Sequence, residues 1–244
     1  MKKTNRGSHD RLKVLVIDVG GSNVKVLATG HATPRKIPSG SIMTARSMVD
    51  AVKQSTGDWG FDAVTIGYPG PVRDGHPSAE PKNLGGGWIK CDFRQAFGVP
   101  VKVINDAAMQ ALGSYEGGRM LFLGLGTGLG SALITDGVLV PMELAHLLYR
   151  KGRTYEDHVG LRGFKRYGKN KWRRHVADVV AALREALQAD YVVLGGGNAK
   201  KLAKLPEWVR LGDNDHAFIG GFRLWESAWK DERPSCVVQR GSRD

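Results

Sequence analysis

Two aspartates stand where an apolar run gives way to a turn or a helix, a place from which a carboxylate can reach into a cleft. Asp18 ends one such run and precedes Gly20 and Gly21, and Asp106 follows the apolar run at 101–104. A carboxylate in such a place can take a proton from a hydroxyl or bind a divalent cation. The simpler alternative for each is a cap, because Asp also ends turns and starts helices.

Glu143 and His146 form a second polar pair that could do chemistry. Residues three apart share one face of a helical turn, so we expect the two side chains to point the same way. A carboxylate and an imidazole side by side can bind neighbouring hydroxyl groups. The alternative is an ordinary surface pair.

Two glycine-rich hairpins lie in different halves of the chain, at residues 13–28 and 120–134. Each is predicted as strand, tight turn and strand, with glycine supplying the positive φ that such turns need and letting bare N–H groups approach a ligand. Successive N–H groups form a concave nest for phosphate oxygens. Because a carboxylate and a phosphate repel, Asp18 beside the first nest predicts a divalent cation, held through water.

Predicted strands and helices alternate along the chain, and they must position these residues. Asn105 or Asp106 is the predicted cap of the helix that follows. The predicted strands are at 12–19, 23–29, 33–38, 61–67, 101–104 and 191–194. The predicted helices are at 44–55, 88–97, 106–113, 171–189 and 217–229, and a Gly- and Pro-rich loop covers 68–87.

The charge is concentrated in one segment. The 244 residues carry a net charge of +12, and the basic segment (residues 150–174) contributes +8 of it, with ten Lys or Arg against Glu156 and Asp157. Such a segment attracts polyanions, although a solvated surface would show the same composition. Nucleic acid is not expected, because no nucleic-acid motif accompanies the charge. Two cysteines and the lack of a membrane-spanning run predict a cytoplasmic protein with no membrane partner.

Four motifs in order carry a family resemblance. They resemble the phosphate-1, connect-1, phosphate-2 and adenosine elements of the actin/hexokinase/Hsp70 superfamily and, within it, the ROK sugar kinases. The polyphosphate glucokinases of that family are the most similar, through the Gly-Tyr-Pro-Gly loop at 67–70, the Asn-Leu…Trp stretch at 83–88 and the Glu-Leu-Ala-His segment at 143–146. The four motifs are Asp18-x-Gly20-Gly21-Ser22-Asn23, Asn105-Asp106-Ala107, Leu125-Gly126-Thr127-Gly128-Leu129-Gly130-Ser131 and Leu194-Gly195-Gly196-Gly197.

The resemblance implies an α/β fold of two lobes, actin-like and related to ribonuclease H, with a cleft between them. The N-terminal lobe would span 11–105 and the C-terminal lobe 106–215. A C-terminal helix at about 216–232 would pack back on the first lobe. The resemblance also favours a homodimer.

The resemblance assigns roles to residues. Asp106 becomes the general base and Asp18 the Mg²⁺ ligand. The expected sugar-binding residues are Asn83, Asn105, Glu143 and His146. The expected phosphate- and nucleotide-binding residues are Gly20, Gly21, Ser22, Asn23, Lys25, Gly126, Thr127, Gly128, Gly195, Gly196, Gly197 and Asn198. The expected polyanion-binding residues are Lys165, Arg166, Lys169 and Lys171.

The activity this implies is phosphoryl transfer from polyphosphate, ATP or both to the 6-hydroxyl of glucose, with Mg²⁺ and no zinc. Zinc is not expected because residues 147–157 contain no cysteine. Two departures from the pattern keep alternatives open: Ala145 replaces the family's glycine, and residues 137–143 are about one residue shorter. The alternatives are an ATP-dependent kinase of another sugar and a weakly active homologue that binds polyanion or sugar.

Overall fold

The protein folds around two five-stranded sheets. The computed structural model describes residues 12–213 and 215–226. In chain order the elements are β1 (Val14–Val19), β2 (Asn23–Ala28), β3 (Arg35–Pro38), α1 (Ala45–Ser55), β4 (Ala63–Tyr68), β5 (Val72–Arg73), β6 (His76–Pro77), α2 (Phe93–Phe97), β7 (Val101–Asn105), α3 (Asp106–Ser114), β8 (Arg119–Leu125), β9 (Leu129–Thr135), β10 (Val138–Met142), β11 (Leu148–Arg150), β12 (Arg153–Thr154), α4 (Tyr155–Val159), α5 (Leu161–Ala186), β13 (Tyr191–Gly195), β14 (Val209–Leu211) and α6 (His216–Arg223). A single 3-10 turn covers Ala199–Lys201.

The first sheet has the order β3-β2-β1-β4-β7. Strands β1 to β3 form the predicted antiparallel meander, and β4 and β7 run parallel to β1. Every residue of β4 is buried, as expected for a strand covered on both faces. The carboxyl ends of β1, β4 and β7 therefore meet at one edge, where Asp18, Gly67 and Asn105 lie.

The second sheet repeats this plan in the order β10-β9-β8-β13-β14. Strands β8 to β10 are antiparallel neighbours, and β13 and β14 are parallel to β8. The apolar face of α5, with Val176, Val179 and Leu183, is buried against Leu121 and Leu194 of this sheet. The predicted helical periodicity is confirmed by this packing.

Helices α3 and α6 cross closely and connect the two sheets. Glycines allow the contact: a Cβ at Gly113 or at Gly220 would lie 1.8 Å from a carbonyl oxygen of the other helix. Helix α3 also contacts β8 and β9, and α6 contacts β1 and β4. Arg223 of α6 donates hydrogen bonds to the carbonyls of Leu112 (2.6 Å) and Tyr115 (3.1 Å), which caps the end of α3.

Two predicted helices have different bounds. The segment 88–97 is helical only as α2, because Asp92 caps it by accepting the N–H of Gln95 at 2.9 Å. Trp88 lies before the cap with its ring fully buried. The predicted helix 171–189 begins ten residues earlier as α5, and Gly168 interrupts it with a φ of +69°.

The C-terminal prediction is confirmed over its first part. Helix α6 covers the start of the predicted helix 217–229, and Trp225 packs on the first sheet, where its Nε1 donates to Thr65 Oγ1 at 2.9 Å. Trp229 and the end of the segment 216–232 lie outside the described residues, as does residue 11. The division into lobes at 11–105 and 106–215 stays a prediction. No helix within the described ranges has the length and apolar character needed to cross a bilayer.

Candidate active site

Asp18 lies at the end of β1 opposite Lys25 on β2. The Lys25 Nζ is 3.9 Å from the Asp18 carboxylate, and the side chain of Asp18 is 16% exposed. Burial raises the pKa of Asp18, and the charge of Lys25 acts in the opposite direction. Asp18 is thus a largely buried carboxylate that one nearby cation balances.

Asp106 is the first residue of α3, and its neighbour Asn105 is the cap. The Asn105 Oδ1 accepts the N–H groups of Ala107 (3.0 Å) and Ala108 (3.1 Å). Asp106 Oδ1 accepts the N–H of Ala107, at 2.8 Å. Burial and then the charge of Asp18 raise the pKa of Asp106 to about 7. Its carboxylate can therefore exchange a proton near neutral pH.

The first turn (residues 20–23) is shaped by close contact. The prediction of positive φ is wrong, since neither Gly20 nor Gly21 has one. A Cβ at Gly20 would lie 2.8 Å from Asn23 O, and one at Gly21 would lie 3.3 Å from the Asn83 Cβ. Gly20 N–H bonds Asn23 O at 3.1 Å within the turn. In the described part of the chain the N–H groups of Gly21 and Ser22 have no acceptor, so they are available to a ligand.

The second turn (residues 126–128) has no positive φ either. Nothing lies within 4 Å of a Cβ built on Gly126, whereas one on Gly128 would lie 2.2 Å from Glu156 Oε2. Thr127 is exposed. The carbonyls of Gly126 and Thr127 each accept the N–H of Leu161 at 3.2 Å, which fixes the turn to the start of α5.

Glu156 was not among the predicted site residues, because in the sequence it is one of two acids within the basic segment. Glu156 is the second residue of α4, and its N–H donates to the Ala145 carbonyl at 3.0 Å. Its carboxylate therefore lies between the second turn and the Glu143–His146 segment. The only local signal was an acid in the first turn of a helix, which is common and points to no ligand.

The Glu143–His146 segment is a turn outside any helix, so the predicted helical geometry is wrong. The two side chains do lie together, with His146 Nε2 3.9 Å from Glu143 Oε1, and both are more than 60% exposed. Ala145 is buried beside Leu144 in the second core, so its extra methyl is accommodated.

Asn83 and Asn105, the other predicted sugar-binding residues, lie at the same edge as Asp18. Asn83 is exposed and touches the first turn through Gly21. The Asn105 amide is mostly committed, since its Oδ1 caps α3 and its Nδ2 donates to Gly70 O at 3.0 Å. The Asn105 side chain also hydrogen-bonds the Asp106 carboxylate.

The Gly195–Gly197 motif serves packing at its first two positions. A Cβ at Gly195 would lie 2.5 Å from the Phe122 ring, and one at Gly196 would lie 2.6 Å from Leu125 O. Gly197 has nothing within 4 Å. Asn198 is 7% exposed, and its Nδ2 donates to Gly126 O at 2.9 Å. The motif thus supports the second turn from behind.

The four predicted polyanion-binding cations, Lys165, Arg166, Lys169 and Lys171, are all exposed on α5. Arg166 lies 6.0 Å and Lys171 5.4 Å from the centre of the Tyr167 ring. They surround the interruption at Gly168.

The carboxylates of the site fit a magnesium ion that takes few of its ligands from the protein. Within the described ranges no three His, Cys, Asp or Glu side chains form a metal-binding group. Mg²⁺ commonly takes only one or two carboxylates and completes its coordination with waters and substrate phosphates. Asp18, next to a turn with available N–H groups, suits that arrangement.

Comparison with known proteins identifies the family of this chain. Residues 11–141 match the sequence model of the ROK family, which is more than half of the chain. The chain belongs to the ROK family. It is 29% identical over 226 residues to the polyphosphate glucokinase of Mycobacterium tuberculosis (strain CDC 1551 / Oshkosh), covering 81% of each protein. The polyphosphate glucokinase of Mycobacterium leprae (strain TN) is 26% identical over 227 residues, or 85% of this chain and 65% of that protein.

Solved structures resemble this ROK family member over most of its length. The inorganic polyphosphate/ATP-glucomannokinase of Arthrobacter sp. strain KM superposes with a TM-score of 0.73 at 23% identity, over 86% of this chain and 97% of that one. A ROK family glucokinase of Streptomyces griseus, in complex with glucose and AMPPNP, gives 0.71 at 18% identity, over 87% and 98%. The predicted two-lobed, actin-like α/β fold is confirmed.

Proposed function

We propose that this protein is a sugar kinase that transfers a phosphoryl group from polyphosphate, ATP or both to the 6-hydroxyl of glucose. The observation that carries the proposal is the pair Asp18 and Asp106. They lie at one sheet edge, close enough for the charge of Asp18 to help raise the pKa of Asp106 to about 7. The ROK relatives named polyphosphate glucokinase and polyphosphate/ATP-glucomannokinase support the same reaction.

In the proposed reaction Asp106 is the general base. It takes the proton of the sugar 6-hydroxyl as that oxygen forms a bond to the terminal phosphorus. The bond from that phosphorus to the bridging oxygen breaks, and the shortened chain, or ADP, leaves with the electron pair. A base with a pKa near the working pH is suited to this role.

The donor phosphates would lie between the two turns. Asp18 would hold Mg²⁺, which supplies neutralisation of phosphate charge. Lys25 would add a second positive group at the first turn. The remaining proposed donor contacts are Gly20, Gly21, Ser22, Asn23, Gly126, Thr127, Gly128, Gly195, Gly196, Gly197 and Asn198, of which Gly195 and Gly196 act by packing.

The sugar would lie between the two lobes. Asn83 and Asn105 would bind it from one side, and Glu143 and His146 from the other. We add Glu156, because its carboxylate lies against the second turn. The exposed basic residues Lys165, Arg166, Lys169 and Lys171 would attract the distal part of a polyphosphate chain.

One observation favours a second candidate, a weakly active sugar- or polyanion-binding homologue. Glu143 and His146 are exposed and 3.9 Å apart, so they make few contacts that would fix them for a substrate. In that case glucose binding would be measurable by calorimetry while no glucose 6-phosphate formed. The homodimer stays a prediction.

A coupled assay of glucose 6-phosphate tests the kinase, with Mg²⁺ and either ATP or polyphosphate. Asp106→Asn keeps the acceptor for the Ala107 N–H and removes the base, so we expect kcat to fall by about 10²- to 10⁴-fold. The matched control is Asp62→Asn. Asp62 is an exposed acid that precedes β4, and its carboxylate accepts the N–H of Lys13. Folded wild-type protein that forms no product with either donor would rule out the proposal.

A further inference from the structure

The ammonium of Lys201 is joined to the second turn through the side chain of Asn198. Its Nζ donates to Asn198 Oδ1 at 2.6 Å and lies 4.1 Å from the centre of the Phe164 ring. The same Asn198 amide donates to Gly126 O, and Asn198 N–H bonds Leu125 O at 3.0 Å. One buried amide therefore joins the ammonium to the turn proposed to hold phosphate.

The surroundings of Lys201 favour a charged ligand over a planar base. Gly197 has open space beside it, so a ligand can approach the motif there. The aromatic ring next to this motif, Phe164, has the Lys201 ammonium over its face. A base that stacked on that face would have to displace the cation, whereas a phosphate would be attracted to it.

Lys201 also connects the cleft to the basic segment. Arg173 of α5 donates its Nε–H to the Lys201 carbonyl at 2.7 Å. Lys169 precedes Arg173 by four residues, so the two share a helix face. In the described part of the chain none of these three cations has a carboxylate within 4 Å. Arg173 thus adjoins Lys201, and Lys169 lies about one helical turn from Arg173.

We propose that Lys201 selects the phosphoryl donor. Its ammonium binds a phosphate beyond the third of the donor, counted from the transferred one, and the rest of an extended polyphosphate chain continues along Arg173 and Lys169. This inference rests on the proposed kinase function and names polyphosphate as the donor the site prefers. A nucleotide, which has no phosphate beyond its third, gains less from the same charge.

The test compares kcat/KM for long-chain polyphosphate and for ATP in two neutral variants and a control. Lys201→Met removes the ammonium, and Lys201→Gln removes the charge but keeps a donor for Asn198. The control is Lys200→Met, which removes a neighbouring exposed lysine of the same 3-10 turn. Inhibition constants of ATP and of tripolyphosphate against polyphosphate provide the binding comparison, and thermal unfolding checks that each variant is folded.

We expect both Lys201 variants to lose about tenfold or more in kcat/KM with polyphosphate, the scale of one lost hydrogen bond to a charged group. ATP, as donor or as inhibitor, should change less than about threefold, and Lys200→Met should leave both within about twofold. Equal losses with the two donors, or the same loss in Lys200→Met, would overturn the inference. Wild-type protein that uses ATP and not polyphosphate would overturn it too while leaving the kinase intact.

Discussion

The two glycine hairpins differ most at the second residue pair from each turn. In the first hairpin this pair is Asp18 opposite Lys25, and in the second it is Gly124 opposite Gly130. A Cβ at Gly130 would lie 2.7 Å from the Cβ of Ala107 on α3. The first hairpin thus has two charged side chains at this position. The second hairpin has no side chain there, so helix α3 can approach.

The two hairpins therefore affect the proposed base in different ways. Asp106 precedes Ala107, so the close contact of α3 with the second hairpin places the proposed base. The first hairpin, through the charge of Asp18, helps to raise the pKa of that base. The same local sequence pattern therefore provides electrostatics in one sheet and positioning in the other.

The largest expected effect comes from removing the charge of the first hairpin. Asp18→Asn should lower kcat by about 100-fold or more, because the phosphates lose their proposed metal ligand. The acidic limb of the pH–rate profile should also move to lower pH, because Asp18 no longer raises the pKa of Asp106. Steady-state kinetics from pH 5 to pH 9 would measure both effects.

Asp62→Asn again serves as the control and should leave rate and profile unchanged. A profile of Asp18→Asn that kept its wild-type midpoint would contradict the coupling between the two carboxylates.

A smaller effect, on stability, should follow from filling the bare position of the second hairpin. Gly130→Ala should destabilise the protein by about 1–3 kcal/mol, because its new methyl overlaps Ala107 and the backbone must shift. Gly126→Ala is the matched control, since nothing lies within 4 Å of its Cβ, and should change stability by less than about 0.5 kcal/mol. Urea unfolding measures both; similar values for the two would disprove the packing role of Gly130.

The remaining expected effect is in the pH dependence of stability. Asp106 has a folded pKa of about 7 against an ordinary value of 3.8, so the folded state binds its proton more tightly. Its contribution is therefore full below about pH 4 and is lost as the pH rises through 7. Asp106→Asn should remove this fall, seen in urea unfolding at pH 5 and pH 8.

His175, whose pKa burial lowers, adds the opposite slope at acid pH. It does so in both proteins, so the difference between them isolates Asp106. An unchanged slope in the variant would contradict the raised pKa.

Features that depend on the local sequence pattern were predicted correctly. The meander of β1 to β3, a helix cap at Asn105 or Asp106 and the apolar face of α5 all follow from spacing and residue type, and the structure contains them, with Asn105 as the cap. Asp18 and Asp106 were singled out for the same reason, because both mark the end of a strand.

Contacts between distant segments could not be predicted in this way. The turn glycines were assigned to positive φ, but the structure uses them for close approach to Asn23, Asn83 and Glu156. Glu156 reaches the second turn from a segment about 30 residues away, and Lys201 is joined to that turn only through Asn198. No local pattern marks either residue. The predicted helix 171–189 also lacks the part of α5 that precedes the interruption at Gly168.

The packing of α6 on the first sheet has a consequence for synthesis of the protein. Thr65 is fully buried, and its hydroxyl donates to Gly221 O at 2.8 Å and accepts from Trp225. Val14 and Val16 are covered by the same helix. Until α6 has been synthesised, the first sheet therefore keeps an uncovered apolar face and a hydroxyl without its partners. The strands that are translated first complete their core among the last, and the uncovered face is a surface through which the growing chain could associate with others.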